Sequence, residues 1–249
     1  MRVIAVGGGK LADGGTIAID REIADAANGD QALFIPTASG DSGEYIESFR
    51  TIYRDRLALD TDVLRLVGSD PSEERVYEAI SSADLVYVGG GNTREMLETW
   101  SQYGVDNMLK EDRGNTVLSG LSAGAICWFE AGHSDSERFG SEADDWSYIT
   151  LEALELVESI IFCPHYDSED RREPFHRAMS EHPKMVGIGV EDRAALDIRD
   201  DSYRAISSDP NASIYRVTAG NDTVEEEPVP QRDGFRPLDR LRSGRIHHS

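Results

Sequence analysis

Short apolar runs alternate with amphipathic stretches over most of this chain, and that alternation predicts its architecture. Residues 2–6, 32–36, 62–67, 85–88 and 116–118 are each rich in Val, Ile or Leu and closed by Gly or Pro, which predicts buried strands. Between them the period changes to that of a helix. Over residues 44–57, Tyr45, Ile46, Phe49, Ile52, Tyr53 and Leu57 share one helical face. Asn92 followed by Glu95 has the spacing of an N-cap and its partner, opening a helix that carries Met96, Leu97 and Trp100. Repeated strand–helix–strand units imply right-handed crossovers and a mostly parallel sheet with helices on both faces, an α/β fold.

The pattern changes after residue 130. Residues 131–148 are polar and glycine-containing, and a loop over the sheet edge is expected there. Residues 159–163 predict a strand and 170–181 a helix. Runs at 186–190, 194–198, 204–207 and 213–217 follow at short spacing, which predicts an antiparallel edge. One domain over residues 1–220 is expected. Residues 221–249, acidic, then proline-containing, then arginine-rich, are expected to form a partly mobile tail.

With 249 residues the chain suits one large α/β domain. Cys127 and Cys163 both lie in apolar runs and are expected to be buried reduced thiols. The first residues enter a strand without a charged leader, and no apolar segment approaches the ~20 residues of a membrane span, so a cytoplasmic protein is expected. The formal net charge is −22, from 47 acidic and 25 basic side chains, with Lys10, Lys110 and Lys184 the only lysines. That field disfavours nucleic acid and anionic membrane as partners. Adaptation to a salty cytoplasm accounts for it, and so does an acidic protein from a genome that favours Arg over Lys.

Ligands of parallel α/β sheets bind beyond the carboxyl ends of strands, and the glycines at 7–9, 89–91 and 120–124 fall there. Gly-Leu-Ser-Ala-Gly at 120–124 follows a strand and precedes a predicted helix. This is the context in which a tight turn projects a serine hydroxyl above the sheet, with the helix N-terminus favouring developing negative charge. Ser122 is therefore the candidate nucleophile, set against a glycine turn that only lets backbones pack. Gly-Gly-Gly-Asn at 89–92 presents backbone N–H groups that, with that of Ala123, suit an oxyanion hole, or alternatively a phosphate cradle. No Walker lysine follows, and Gly-Gly-Gly-Lys at 7–10 lacks dinucleotide-loop spacing. Among the histidines, His165 ends an apolar strand on the active side and is the favoured base. His133 in the predicted loop is its rival, while His176, His182, His247 and His248 read as surface or tail. Glu191 and Asp192 at another strand end, and Asp135 and Asp144 in the loop, are candidates for the acid that orients the imidazole.

Together, Gly-Gly-Gly-Asn at 89–92, Gly-Leu-Ser-Ala-Gly-Ala at 120–125, Pro-His-Tyr-Asp at 164–167 and Gly-Ile-Gly-Val-Glu-Asp at 187–192 resemble the aspartyl dipeptidase (peptidase E) family, related to cyanophycinases. The resemblance runs from residue 1 to about 218. It implies a flavodoxin-like sheet similar to class I glutamine amidotransferases, with an antiparallel edge and a Ser-His-Glu triad. By residue matching, the triad is Ser122, His165 and Glu191, with Gly90 and Ala123 as oxyanion donors and no metal or cofactor. The implied substrates are small peptides, dipeptides with N-terminal Asp among them, cleaved through an acyl-enzyme by a monomer or homodimer. A cation should meet the aspartyl group; Arg138, Arg171 and Arg172 lie near the matched motifs, and Asn92, Asp135 and Arg171 are the expected substrate contacts. The acidic stretch 133–137 argues against a strict aspartate preference. Two other readings stay open: hydrolysis of another small amide, as in cyanophycinases, or ligand binding without catalysis.

Overall fold

The computed structural model describes residues 1–111, 114, 116–140, 145–220 and 223–243. Five strands, β1 (Arg2–Val6), β2 (Gln31–Ile35), β3 (Asp60–Val63), β4 (Leu85–Val88) and β5 (Val117–Leu121), lie parallel in the order β1-β5-β4-β2-β3. Farther along come β6 (Phe129–Ser134), β7 (Ile149–Glu152), β8 (Val157–Cys163), β9 (Val186–Val190), β10 (Ala194–Arg199) and β11 (Ser202–Ser207). The last three strands are β12 (Ile214–Ala219), β13 (Val224–Pro228) and β14 (Arg236–Pro237). The helices are α1 (Ile17–Ala26), α2 (Gly43–Arg50), α3 (Glu73–Ser81), α4 (Thr93–Tyr103), α5 (Val105–Lys110), α6 (Ala123–Ile126), α7 (Arg172–Glu181) and α8 (Leu238–Ser243).

β10, β11 and β14 extend the first sheet antiparallel from β1; of the four runs expected at an antiparallel edge, 194–198 and 204–207 lie there, whereas 186–190 and 213–217 become β9 and β12 of a second sheet. The remaining strands form a second sheet in the order β13-β12-β9-β8-β6-β7, parallel at β6-β8-β9. Strand alternation sorts the core. Val3 and Ala5 of β1 join Val86, Val88, Phe129, Ile160, Phe162 and Ile188 in the layer between the sheets. Ile4 and Val6 face the other way, toward Ile19, Ile23, Ile46, Phe49 and Tyr53 of α1, α2 and the wide helical turn that continues α2. Phe175 and Met179 of α7 cover the outer face of the second sheet over Ile161, Cys163 and Val217. Cys127 and Cys163 are buried free thiols. Among the described residues no helix is long and apolar enough to cross a membrane.

Three further expectations are corrected. The third strand spans 60–63 and not 62–67, because the Leu66 and Val67 amides both donate to the Asp41 carboxylate at 2.7 Å and so leave the ladder. The predicted loop at 131–148 begins as β6, whose Ala131 and Gly132 pair with Ile161 and Phe162 of β8. No boundary falls at residue 220. Although Glu225, Glu226 and Glu227 are acidic, β13 pairs along β12, and Val229, Leu238 and Leu241 are buried, so residues 223–243 belong to the domain.

Candidate active site

The carboxyl ends of β1, β4 and β5 meet at a cavity of about 380 Å³ whose lining includes Ser122, His165, Gly90, Gly91, Tyr45 and Lys10. Ser122 stands between β5 and α6 at φ 55°, ψ −113°, a backbone conformation that L-residues with a side chain seldom adopt. Its N–H donates to the Val6 carbonyl at 3.1 Å, tying the elbow to the end of β1. Gly120 and Gly124 make the turn sterically feasible: a Cβ on Gly120 would meet the Gly124 carbonyl, and one on Gly124 the Val88 carbonyl. Close packing and presentation of the serine thus have the same cause. α6 is one turn of four residues before β6 begins, so its dipole is small and the expected longer helix after the elbow is absent.

His165 follows the end of β8 and adopts φ 51°. Its N–H donates to the Gly7 carbonyl at 3.1 Å, and its Nδ1 lies 2.6 Å from Asp192 Oδ1. The glycine run at 7–9 is the slot for this pair: a Cβ on Gly8 would overlap both the Asp192 carboxylate and the His165 ring. Burial pulls the Asp192 carboxyl upward, but the hydrogen bond to His165 and that residue's charge outweigh it and hold the carboxyl below its ordinary range. The Asp192 N–H is itself fixed by Asp167 Oδ1 at 2.8 Å.

The carboxylate against the imidazole is therefore that of Asp192, and not, as expected, that of Glu191. The Glu191 side chain points away and accepts from the Ser213 N–H at 2.7 Å, joining β9 to the start of β12. Burial raises its carboxyl above the usual range. Glu191 and Asp192 both lie just past β9 and turn to different partners, so a one-residue choice decides which carboxylate meets the ring.

The oxyanion candidates divide. Ala123 opens α6, so its N–H has no acceptor within the helix. The loop of Gly90 lies against the elbow, since a Cβ on Gly90 would come within 3.4 Å of Ser122 Cβ. The Gly90 N–H, however, already donates to Tyr45 Oη at 3.2 Å.

The three expected substrate contacts are committed elsewhere. Asn92 is buried and caps α4, accepting from the Glu95 N–H at 3.4 Å, as its spacing predicted. Arg171 is 1% exposed, bonded to Glu169 at 2.8 Å and to the His133 carbonyl at 3.1 Å, with Asp135 at 3.4 Å. That cluster accounts for both Asp135 and Arg171. Arg138 pairs with Glu169, and Arg172 with Glu226. Lys10 is the only lysine or arginine lining the Ser122 cavity among the described residues, and it makes no ion pair there.

The rival histidines fall away from the serine. His133 is buried against Tyr148 and Phe175 with both ring nitrogens unpartnered; burial first, then Arg171 and Arg177, push it down to about 3. His176 bonds Tyr166 and Glu226, and His182 ends α7. Asp144, His247 and His248 lie outside the described residues. Among the described residues, no group of three or more His, Cys, Asp or Glu side chains is arranged to hold a metal ion.

Comparison with known proteins assigns the chain to a family. The model of Peptidase family S51 matches residues 3–206. An uncharacterized peptidase, YgaJ of Bacillus subtilis, is 35% identical over 235 residues, covering 92% of this chain and 97% of that one. Peptidase E of a Nostoc species is 24% identical, covering 80% and 81% of the two chains. A cyanophycinase of Synechococcus elongatus is 27% identical over 69% of this chain but only 54% of its own length. The crystal structure of a peptidase from an acI-B1 Actinobacterium superposes with a TM-score of 0.69 at 19% identity, covering 95% of this chain and 96% of that one, which shows a shared fold. With its family model matched over most of the chain, this protein is a member of peptidase family S51.

Proposed function

We propose that the chain is a serine peptidase that cleaves short peptides through an acyl-enzyme on Ser122. The observation that carries this is the convergence of a serine held at φ 55° with a His165–Asp192 pair at one cavity. Asp192 occupies the Nδ1 side of the imidazole, which leaves Nε2 to take the Ser122 proton and later return it to the leaving amine. Asp192 holds the ring in that tautomer and balances the imidazolium that forms. The Ala123 N–H faces the oxygen on which negative charge develops.

A cavity of about 380 Å³ is near the lower end of small-molecule sites, roughly 300–1,000 Å³, and favours short peptides over folded chains. Its lining includes one cation, Lys10, and one carboxylate, Glu44, neither ion-paired among the described residues, and that pair of charges favours a zwitterion. Lys10 is the cation that an acidic first residue would meet, and an Asp-X dipeptide fits that arrangement.

The test is a fluorophosphonate probe followed by a dipeptide panel. Native protein is expected to label at Ser122 and hydrolyse dipeptides, Asp-X among them, while Ser122→Ala does neither. Absent labelling of native protein, or equal labelling of the variant, contradicts the assignment.

A further inference from the structure

Tyr45 occupies the first turn of α2, far in sequence from every residue assigned above, yet it lines the Ser122 cavity. Three contacts fix it there. Its N–H donates to Ser42 Oγ, its ring packs edge-on against Phe34 with centroids 5.2 Å apart, and its ring edge lies so close to the strand-end loop that a Cβ on Gly89 would come to 3.0 Å. The hydroxyl accepts the Gly90 N–H at 3.2 Å. No described residue accepts the hydroxyl's own proton. Burial holds the phenol protonated, pushed up to about 12.

An N–H bonded to a phenol oxygen polarises the O–H and strengthens it as a donor. A fixed, protonated hydroxyl with an unspent proton, in the cavity of the nucleophile and bonded to the loop against its elbow, is a preorganised dipole. We propose that the Tyr45 hydroxyl donates a hydrogen bond to the tetrahedral oxyanion formed on Ser122, with the Gly90 N–H acting through it.

The electron and proton movements balance without ionising Tyr45. Ser122 Oγ bonds to the scissile carbon as its proton passes to His165 Nε2, and the carbonyl π pair moves onto oxygen. That oxygen accepts from the Ala123 N–H and the Tyr45 O–H. On collapse the pair returns, the C–N bond breaks, and the amine leaves with the proton from His165. Tyr45 is then a catalytic residue, while Gly90 positions and polarises it.

This inference rests on the serine-peptidase reading, and the experiment separates the two. Labelling of native protein by a fluorophosphonate probe, lost in Ser122→Ala, tests the reading; its failure removes both claims. Where native protein labels, Tyr45→Phe is expected to lower kcat and the labelling rate roughly 100-fold, the usual effect of losing one oxyanion donor, with KM within threefold. An unchanged or raised rate in Tyr45→Phe overturns the inference alone, because it shows that the phenol merely occupies the Gly90 N–H. A series of fluorotyrosines at position 45 preserves ring and hydroxyl while making the phenol more acidic, and applies even where Tyr45→Phe does not fold. kcat is expected to rise along that series at constant KM; a flat or falling series overturns the inference.

Discussion

Ser122 and His165, which both line the candidate site, are among the residues held at positive φ. Ser122 at φ 55° and His165 at φ 51° each hold a conformation costing on the order of 1–3 kcal/mol. Each is pinned by a hydrogen bond to the end of β1, Ser122 through Val6 and His165 through Gly7. The motif around Ser122 and the strand end before His165 made both legible in the sequence. Asp192 was legible only to within one position, because two adjacent carboxylates follow β9 and only their tertiary partners, His165 for one and the Ser213 N–H for the other, tell them apart. Tyr45 gave no signal beyond its place on an apolar helical face; its hydroxyl matters only through a contact 45 positions along the chain. A buried residue supplies a pH test. Burial holds His133 down to about 3 in the fold, while the unfolded imidazole titrates near 6.5. Between those values the unfolded chain binds the proton and the native chain does not, so the stability this neutral ring contributes is lost as pH falls through that window. His133→Phe, packed on Tyr148 and Phe175, is expected to lose less of its Tm between pH 7 and pH 4 than native protein; equal losses contradict the assignment.

At the scale of elements, fully buried strands were the most legible. β1, β4 and β9 coincide with their apolar runs, whose residues are buried from end to end apart from the half-buried Arg2. Legibility failed where polar composition concealed pairing. β6 is built partly of small and polar residues, Ala131, Gly132, His133 and Ser134, and is recognisable only against β8. β13 carries three consecutive glutamates because it is an edge strand, for which charge is an ordinary protection against further pairing. The second sheet as a unit was likewise hidden, since its strands come from four separate stretches of chain. The C-terminal elements are integral by the same test: Leu241 of α8 is fully buried, and the Leu241 carbonyl accepts from Arg216 Nε at 2.8 Å. Leu241→Ala is expected to destabilise the protein by about 2–5 kcal/mol in urea unfolding followed by fluorescence. A change below ~0.5 kcal/mol contradicts the inclusion of α8 in the domain.

For the whole molecule, the charge of −22 and the site impose separate demands. Self-repulsion among so many carboxylates opposes the compact state, and molar salt reduces its range to ~3 Å. The Tm is expected to rise from low to molar salt if the surface is adapted to a saline interior; a Tm indifferent to salt contradicts that adaptation. The site depends on topology. Ser122 follows β5, His165 follows β8 and Asp192 follows β9, and only the placement of the ends of both sheets around Gly7 and Gly8 brings imidazole and carboxylate together beside the serine's cavity. Steady-state hydrolysis of one dipeptide by Asp192→Asn and Glu191→Gln tests that convergence most directly. Loss of the acid that orients a triad histidine costs about 10⁴ in kcat, so Asp192→Asn is expected to fall by 10²-fold or more and Glu191→Gln to remain within threefold of native. The reverse ranking, with Glu191→Gln inactive and Asp192→Asn near native, would contradict the account.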